Sequence, residues 1–125
     1  MQASEFRSGC PIASALDILG DRWTLLVIRN LALGARSYGD FRKAPEQIAT
    51  NILADRLARL ERCGLIEAAP ARSGARGGYR LTRAGAELLP VLQALGRWAG
   101  EHLPNRWAPP DGFMEATPDD LLARG

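Results

Sequence analysis

Between Thr50 and Arg59 the chain carries side chains suited to hydrogen bonding with flat polar edges and with phosphate. Asn51 can pair bidentately with adenine, Arg56 or Arg59 can reach guanine or phosphate, and Asp55 can accept from cytosine or orient an arginine. Each residue also has a plainer reading. Thr50 and Asn51 can cap a helix, and Asp55 with Arg59 four residues on can be an ordinary surface pair. Upstream, Ser37, Tyr38 and Lys43 suit phosphate contacts, which position a protein without reading sequence, although Tyr38 equally suits a core. Downstream, Arg72, Arg76 and Arg80 surround a glycine-rich turn, where they meet phosphate, the minor groove or solvent alone.

Other chemistries have less material. Cys10 precedes Pro11 at the expected cap of a first helix, where free N–H groups and the positive end of the helix dipole stabilise a thiolate. A small residue kept for packing would look the same. Cys63 lies at the inward end of a later helix and reads as structural. Two cysteines cannot make a disulfide framework, and with His102 the only histidine beside them they cannot complete a structural zinc site either. That histidine at a helix end, with no glycine-rich phosphate loop, equips no nucleophile or acid–base pair; the chain is not expected to be an enzyme.

With 125 residues, 46% of them hydrophobic and 24% charged, one domain with a real core is the expectation. No apolar run reaches the length of a membrane span, and residues 1–9 lack the basic-then-apolar order of a secretory signal, so a cytoplasmic protein is expected. The net charge of +2 conceals an uneven distribution. Residues 50–83 hold seven arginines against three acids, whereas residues 104–125 hold two arginines against four acids. A basic segment of this kind suits a nucleic acid and also suits a solvated surface.

The elements that would position these residues follow from periodicity. Pro11 opens a first helix, Ile12, Leu16 and Leu19 repeat along it, and Gly20 is expected to end it in the left-handed conformation. Asp21 caps a second helix over 22–33, carrying Trp23, Leu26, Val27 and Leu31. Ser37 caps a short third helix over 38–44, and Pro45 ends it. A fourth helix, opened by Thr50 or Asn51, turns Leu53, Leu57 and Leu60 inward and closes at Cys63 and Gly64; helix, tight turn, helix is the helix-turn-helix pattern. An extended run over 65–72, a loop over 73–78 and a strand over 79–82 make a β-hairpin of undefined register. Thr82 caps a last helix over 83–103, whose Leu88, Leu89, Val91, Leu92, Leu95 and Trp98 cover more than one stripe and call for a second surface. Trp23 and Trp98 read as core or as the wall of an aromatic pocket. The proline-rich stretch from Pro104 is expected to be irregular until Thr117, where a cap, Pro118 and two acids suit a short final helix.

Three segments together resemble the HxlR family of bacterial regulators, winged helix-turn-helix proteins related in fold to the MarR group. They are Cys10-Pro11 with Gly20-Asp21-Arg22-Trp23-Thr24; residues 45–53 running through Leu60-Glu61 to Gly64-Leu65-Ile66; and Tyr79-Arg80-Leu81-Thr82 with Gly85 and Leu89-Pro90. The resemblance implies a mainly helical fold with a small hairpin wing over residues 1–103; the proline-rich acidic tail over 104–125 lies outside the matched stretch. It further implies a dimer through the first and last helices, sequence-specific binding of double-stranded DNA at an inverted repeat, and no metal or cofactor. Some HxlR-like regulators sense oxidants or electrophiles through a cysteine at the motif Cys10 occupies, which would make Cys10 an effector site. A winged helix serving only protein–protein contacts is the other reading.

Overall fold

The computed structural model describes residues 5–70 and 77–124. Along the described chain run α1 (Pro11–Leu19), α2 (Thr24–Ala32), α3 (Tyr38–Arg42), α4 (Thr50–Arg62), β1 (Ile66–Ala69), β2 (Gly78–Leu81), α5 (Arg83–Ala86), α6 (Leu89–His102) and α7 (Pro118–Arg124). The mainly helical architecture with one small antiparallel hairpin is the one expected. Helices α3 and α4 form the helix-turn-helix, and the hairpin is the wing.

The core gathers around α4. Leu53, Leu57 and Leu60, one inward stripe, are fully buried against Val27, Ile28 and Leu31 of α2, Phe41 of α3, Ile48 of the turn and Ile66 of β1. Apolar residues at spacings of three and four put one helical face on a common surface, so this packing follows directly from the sequence. Phe41 is buried and Tyr38 is 40% exposed, so of the two aromatics of α3 only Phe41 serves the core.

Caps set the helix boundaries. The Asp21 carboxylate accepts from the backbone N–H groups of Trp23 (3.1 Å) and Thr24 (3.2 Å), holding the start of α2. Ser37 and Asp40 form a reciprocal capping box at α3. Helix α4 differs from expectation: Ala49 is its cap residue and contributes no side-chain bond, so Thr50 and Asn51 stand inside the first turn with no capping role. Gly20 also acts differently. Its φ of −76° is right-handed, and glycine is required there because a Cβ would lie 2.4 Å from the Leu16 carbonyl oxygen.

In the wing Ile66 pairs with Leu81, Glu67 with Arg80, Ala68 with Tyr79 and Ala69 with Gly78, which supplies the register that the sequence left open. At the wing root Thr82 Oγ1 donates to the Gly64 carbonyl (2.6 Å), and Gly85 packs so tightly that a Cβ would sit 2.0 Å from the Leu65 oxygen. The single last helix expected over 83–103 is two helices. Pro90 has no N–H to donate to the carbonyl four residues back, so α5 ends at Ala86 and α6 starts afresh at Leu89.

After α6 the chain returns to the fold. Gln93, 8% exposed, donates through Nε2 to the carbonyls of Phe113 (3.0 Å), Met114 (3.3 Å) and Ala116 (2.9 Å). Thr117 and Asp120 cap α7 reciprocally, Asp119 meets Arg83 at 2.7 Å, and the Arg124 carbonyl accepts from Arg36 at 3.2 Å.

Candidate nucleic-acid interface

The inward leucine stripe leaves Asn51, Asp55, Ala58 and Arg62 as one outward row of α4, all exposed, with exposed Thr50 in its first turn. Two of these residues lie outside the sequence-based set. Arg62 makes no hydrogen bond or ion pair among the described residues, and spacings of four, three and four from Asn51 would have placed it on this row. Ala58 gives the row a low point where a surface can approach closely.

Arg56 and Arg59 are engaged inside the protein. Arg56 Nε donates to Asp21 Oδ2 at 2.8 Å and its Nη1 meets Asp55 Oδ2, so Asp55 pairs with its neighbour and not with Arg59. Arg59 Nη2 donates to the Asp17 carbonyl at 2.6 Å, and its Nη1 lies 4.0 Å from Asp21 Oδ1. The two arginines therefore clamp α4 to the corner between α1 and α2. Partial burial pushes the Asp21 carboxyl pKa up, but hydrogen bonds from Thr24 Oγ1, Arg56 and the Trp23 backbone outweigh it and hold the group well below the usual carboxylate range. The clamp is thus ionised at any physiological pH.

The remaining candidates surround this row. Ser37 uses its oxygen as acceptor for Asp40 N–H at 3.3 Å, which leaves its hydroxyl proton to donate. Tyr38 and Lys43 are exposed on or beside α3. Arg80 is spanned across the wing to Glu67 at 2.8 Å. Arg72 and Arg76 lie outside the described residues.

Cys10 is exposed at the N-terminal end of α1, and its carbonyl accepts the Ser14 N–H at 2.9 Å. Cys63 is half-buried at the end of α4. Helix α1 buries none of its residues: Ile12 is 72% exposed and Leu16 55%. On α6, Val91, Leu95 and Trp98 are likewise exposed, Trp98 lying tilted against His102 with centroids 5.2 Å apart. Trp98 is therefore not core in the single chain, whereas Trp23 packs against the core with Arg22 stacked 5.1 Å from its ring. Among the described residues no cluster of three His, Cys, Asp or Glu side chains could hold a metal ion, and no helix is long and apolar enough to cross a membrane.

A family model described as HxlR-like helix-turn-helix matches residues 18–107. The HTH-type transcriptional regulator Rv3095 of Mycobacterium tuberculosis is 36% identical over 109 residues, covering 82% of this chain and 65% of that protein, so the chain spans about two thirds of that relative's length. YodB of Bacillus subtilis, also an HTH-type transcriptional regulator, is 31% identical over 94 residues, covering 74% of this chain and 84% of YodB. Among solved structures, PA1607, a candidate transcription factor, superposes with a TM-score of 0.75 at 37% identity, covering 86% of this chain and 76% of that one. Reduced YodB superposes at 0.64 with 29% identity, covering 78% and 97%, and YodB has also been solved diamide-treated and quinone-bound.

Proposed function

Since the chain belongs to the HxlR-like helix-turn-helix family, we propose that it is a cytoplasmic transcription regulator that binds double-stranded DNA sequence-specifically as a homodimer. The observation that carries this reading is the outward row of α4, polar, exposed and relieved of capping. Asn51 and Thr50 at its N-terminal end meet base edges in the major groove, Asp55 and Ala58 follow, and Arg62 meets phosphate. Ser37, Tyr38 and Lys43 take phosphates beside it, and the wing arginines Arg72, Arg76 and Arg80 take the backbone or minor groove. No large apolar side chain is exposed on α4, which disfavours a surface for protein partners alone.

The exposed apolar residues of α1 and α6 support a two-fold dimer through these helices. Two recognition helices then face successive major grooves, and the operator is an inverted repeat with half-sites about one helical turn apart. Arg56 and Arg59 act in this scheme as positioning residues: they fix α4 to the corner that follows α1. That corner gives Cys10 a route to the DNA. Addition of its exposed thiol to a quinone, or its oxidation by diamide to a mixed disulfide with a second thiol, disturbs the start of α1, and a shift of α1 moves the Asp17 carbonyl and Asp21 against which α4 is clamped. The diamide-treated and quinone-bound forms of YodB support the choice of probe.

Selecting fragments from a random duplex pool with the purified protein tests the proposal. An enriched inverted repeat is the expected result; a pool that remains random after repeated selection contradicts it.

A further inference from the structure

A cleft of about 580 Å³ opens between the C-terminal half of α2, the end of α3 and the returning chain around Trp107. Its volume falls within the range of roughly 300–1,000 Å³ that holds small-molecule ligands. The walls are apolar: Leu33 of α2, Ala44 and Pro45 after α3, and Trp107 and Pro110 from the C-terminal segment. Leu33 is 49% exposed and Trp107 83%, so both rings and methyls are available to a guest. Three residues beyond Pro110, the carbonyls held by Gln93 begin, so the tail wall is anchored to α6.

Charge at the cleft is almost completely internally matched. Arg29 grips Glu46 bidentately at 2.9 and 2.7 Å, and Asp40 is turned onto the backbone N–H groups of Arg36 (3.0 Å) and Ser37 (3.1 Å). The Lys43 ammonium feels the Asp40 carboxylate only at a distance and makes no hydrogen bond or ion pair of its own among the described residues, so its donors are open to a guest. We infer that this cleft is a binding site for a planar aromatic ligand bearing one anionic group, the ring lying on Trp107 and Leu33 and the anion meeting Lys43 in place of the DNA phosphate assigned to it above. The chain leaves the cleft through Glu46 and Gln47, whose φ of 55° marks a tight turn, and enters α4 three residues later, so the cleft wall runs directly into the segment that leads to α4. That role as an effector site rests on the DNA-binding reading, whereas ligand binding itself does not, and it is measured without DNA.

Calorimetric titration of the full chain with 2-naphthoate, and separately with neutral 2-naphthalenemethanol, tests the inference. Saturable uptake of the naphthoate at one site per chain is expected, with the alcohol bound several-fold more weakly. Trp107→Ala should weaken naphthoate by about tenfold through loss of the aromatic platform, and Lys43→Ala by roughly threefold to tenfold while equalising acid and alcohol. Trp107 is exposed, so its replacement leaves the fold intact, and circular dichroism verifies this. Absence of saturable binding, or naphthoate affinity unchanged in both variants, overturns the assignment.

Discussion

Replacing Asp21 should loosen the seating of α4, because this carboxylate is where α2, α4 and the end of α1 meet. It accepts the N–H groups of Trp23 and Thr24, the Thr24 hydroxyl and Arg56 Nε. Loss of a helix cap costs about 1 kcal/mol. A charge-assisted hydrogen bond adds about 1.5–3 kcal/mol, with the lower part of that range apt because Arg56 and Asp21 side chains remain 20% and 23% exposed. Asp21→Ala should therefore destabilise by about 2–3 kcal/mol and Asp21→Asn, which retains a cap acceptor, by about 1 kcal/mol. Urea unfolding with a common m-value measures both. The pH dependence has a defined sign. The folded carboxyl titrates below its unfolded value of about 3.9, so its contribution is complete above that value and is lost as pH falls toward the folded pKa. Asp21→Asn should therefore lose less stability than the wild type on acidification. Asn costing as much as Ala, or neither costing more than about 0.5 kcal/mol, would refute the clamp.

Three further perturbations address other parts of the account. Leu95→Glu places a charge on the exposed apolar face of α6 and should convert a dimer to a folded monomer in sedimentation at micromolar concentration; an unchanged dimer would move the interface elsewhere. Gln93→Leu removes the donor shared by three tail carbonyls and should raise hydrogen-exchange rates over 113–124 without altering those of α4, whereas uniform exchange would mean the tail is held by other contacts. Diamide or a quinone should lower the affinity of the wild type for its selected operator and leave Cys10→Ser unaffected; identical responses of the two proteins would remove Cys10 as the switch.

What could be read from the chain beforehand was whatever depends on local spacing. Leu53, Leu57 and Leu60 repeat as a helical stripe, Ser37 precedes α3 as its cap, and Asp21 precedes α2, so these features survive into the structure. The apolar pattern running through Pro90 suits one continuous helix, but the missing N–H outweighs the periodicity and breaks it. Long-range partners were not legible. The spacing around Arg56 and Arg59 contains nothing of Asp21 or the Asp17 carbonyl, which lie 35 and 42 residues away in sequence. Gln93 similarly looks like a surface residue on an apolar helix until the tail carbonyls converge on it. Arg62 stands at the far end of α4 from the N-terminal turn that reaches base edges, and only the helical period links it to Asn51.

The central claim, sequence-specific binding through α4, is tested most directly by fluorescence-anisotropy titration of the selected operator and a scrambled duplex across a salt series. Release of counterions from contacted phosphates makes log affinity fall linearly with log salt. The account predicts a steep fall for both duplexes and an operator preference of at least about a thousandfold, with Asn51→Ala reducing the preference while leaving the salt slope unchanged. A flat salt dependence, or equal affinity for the operator and the scrambled duplex, would contradict it.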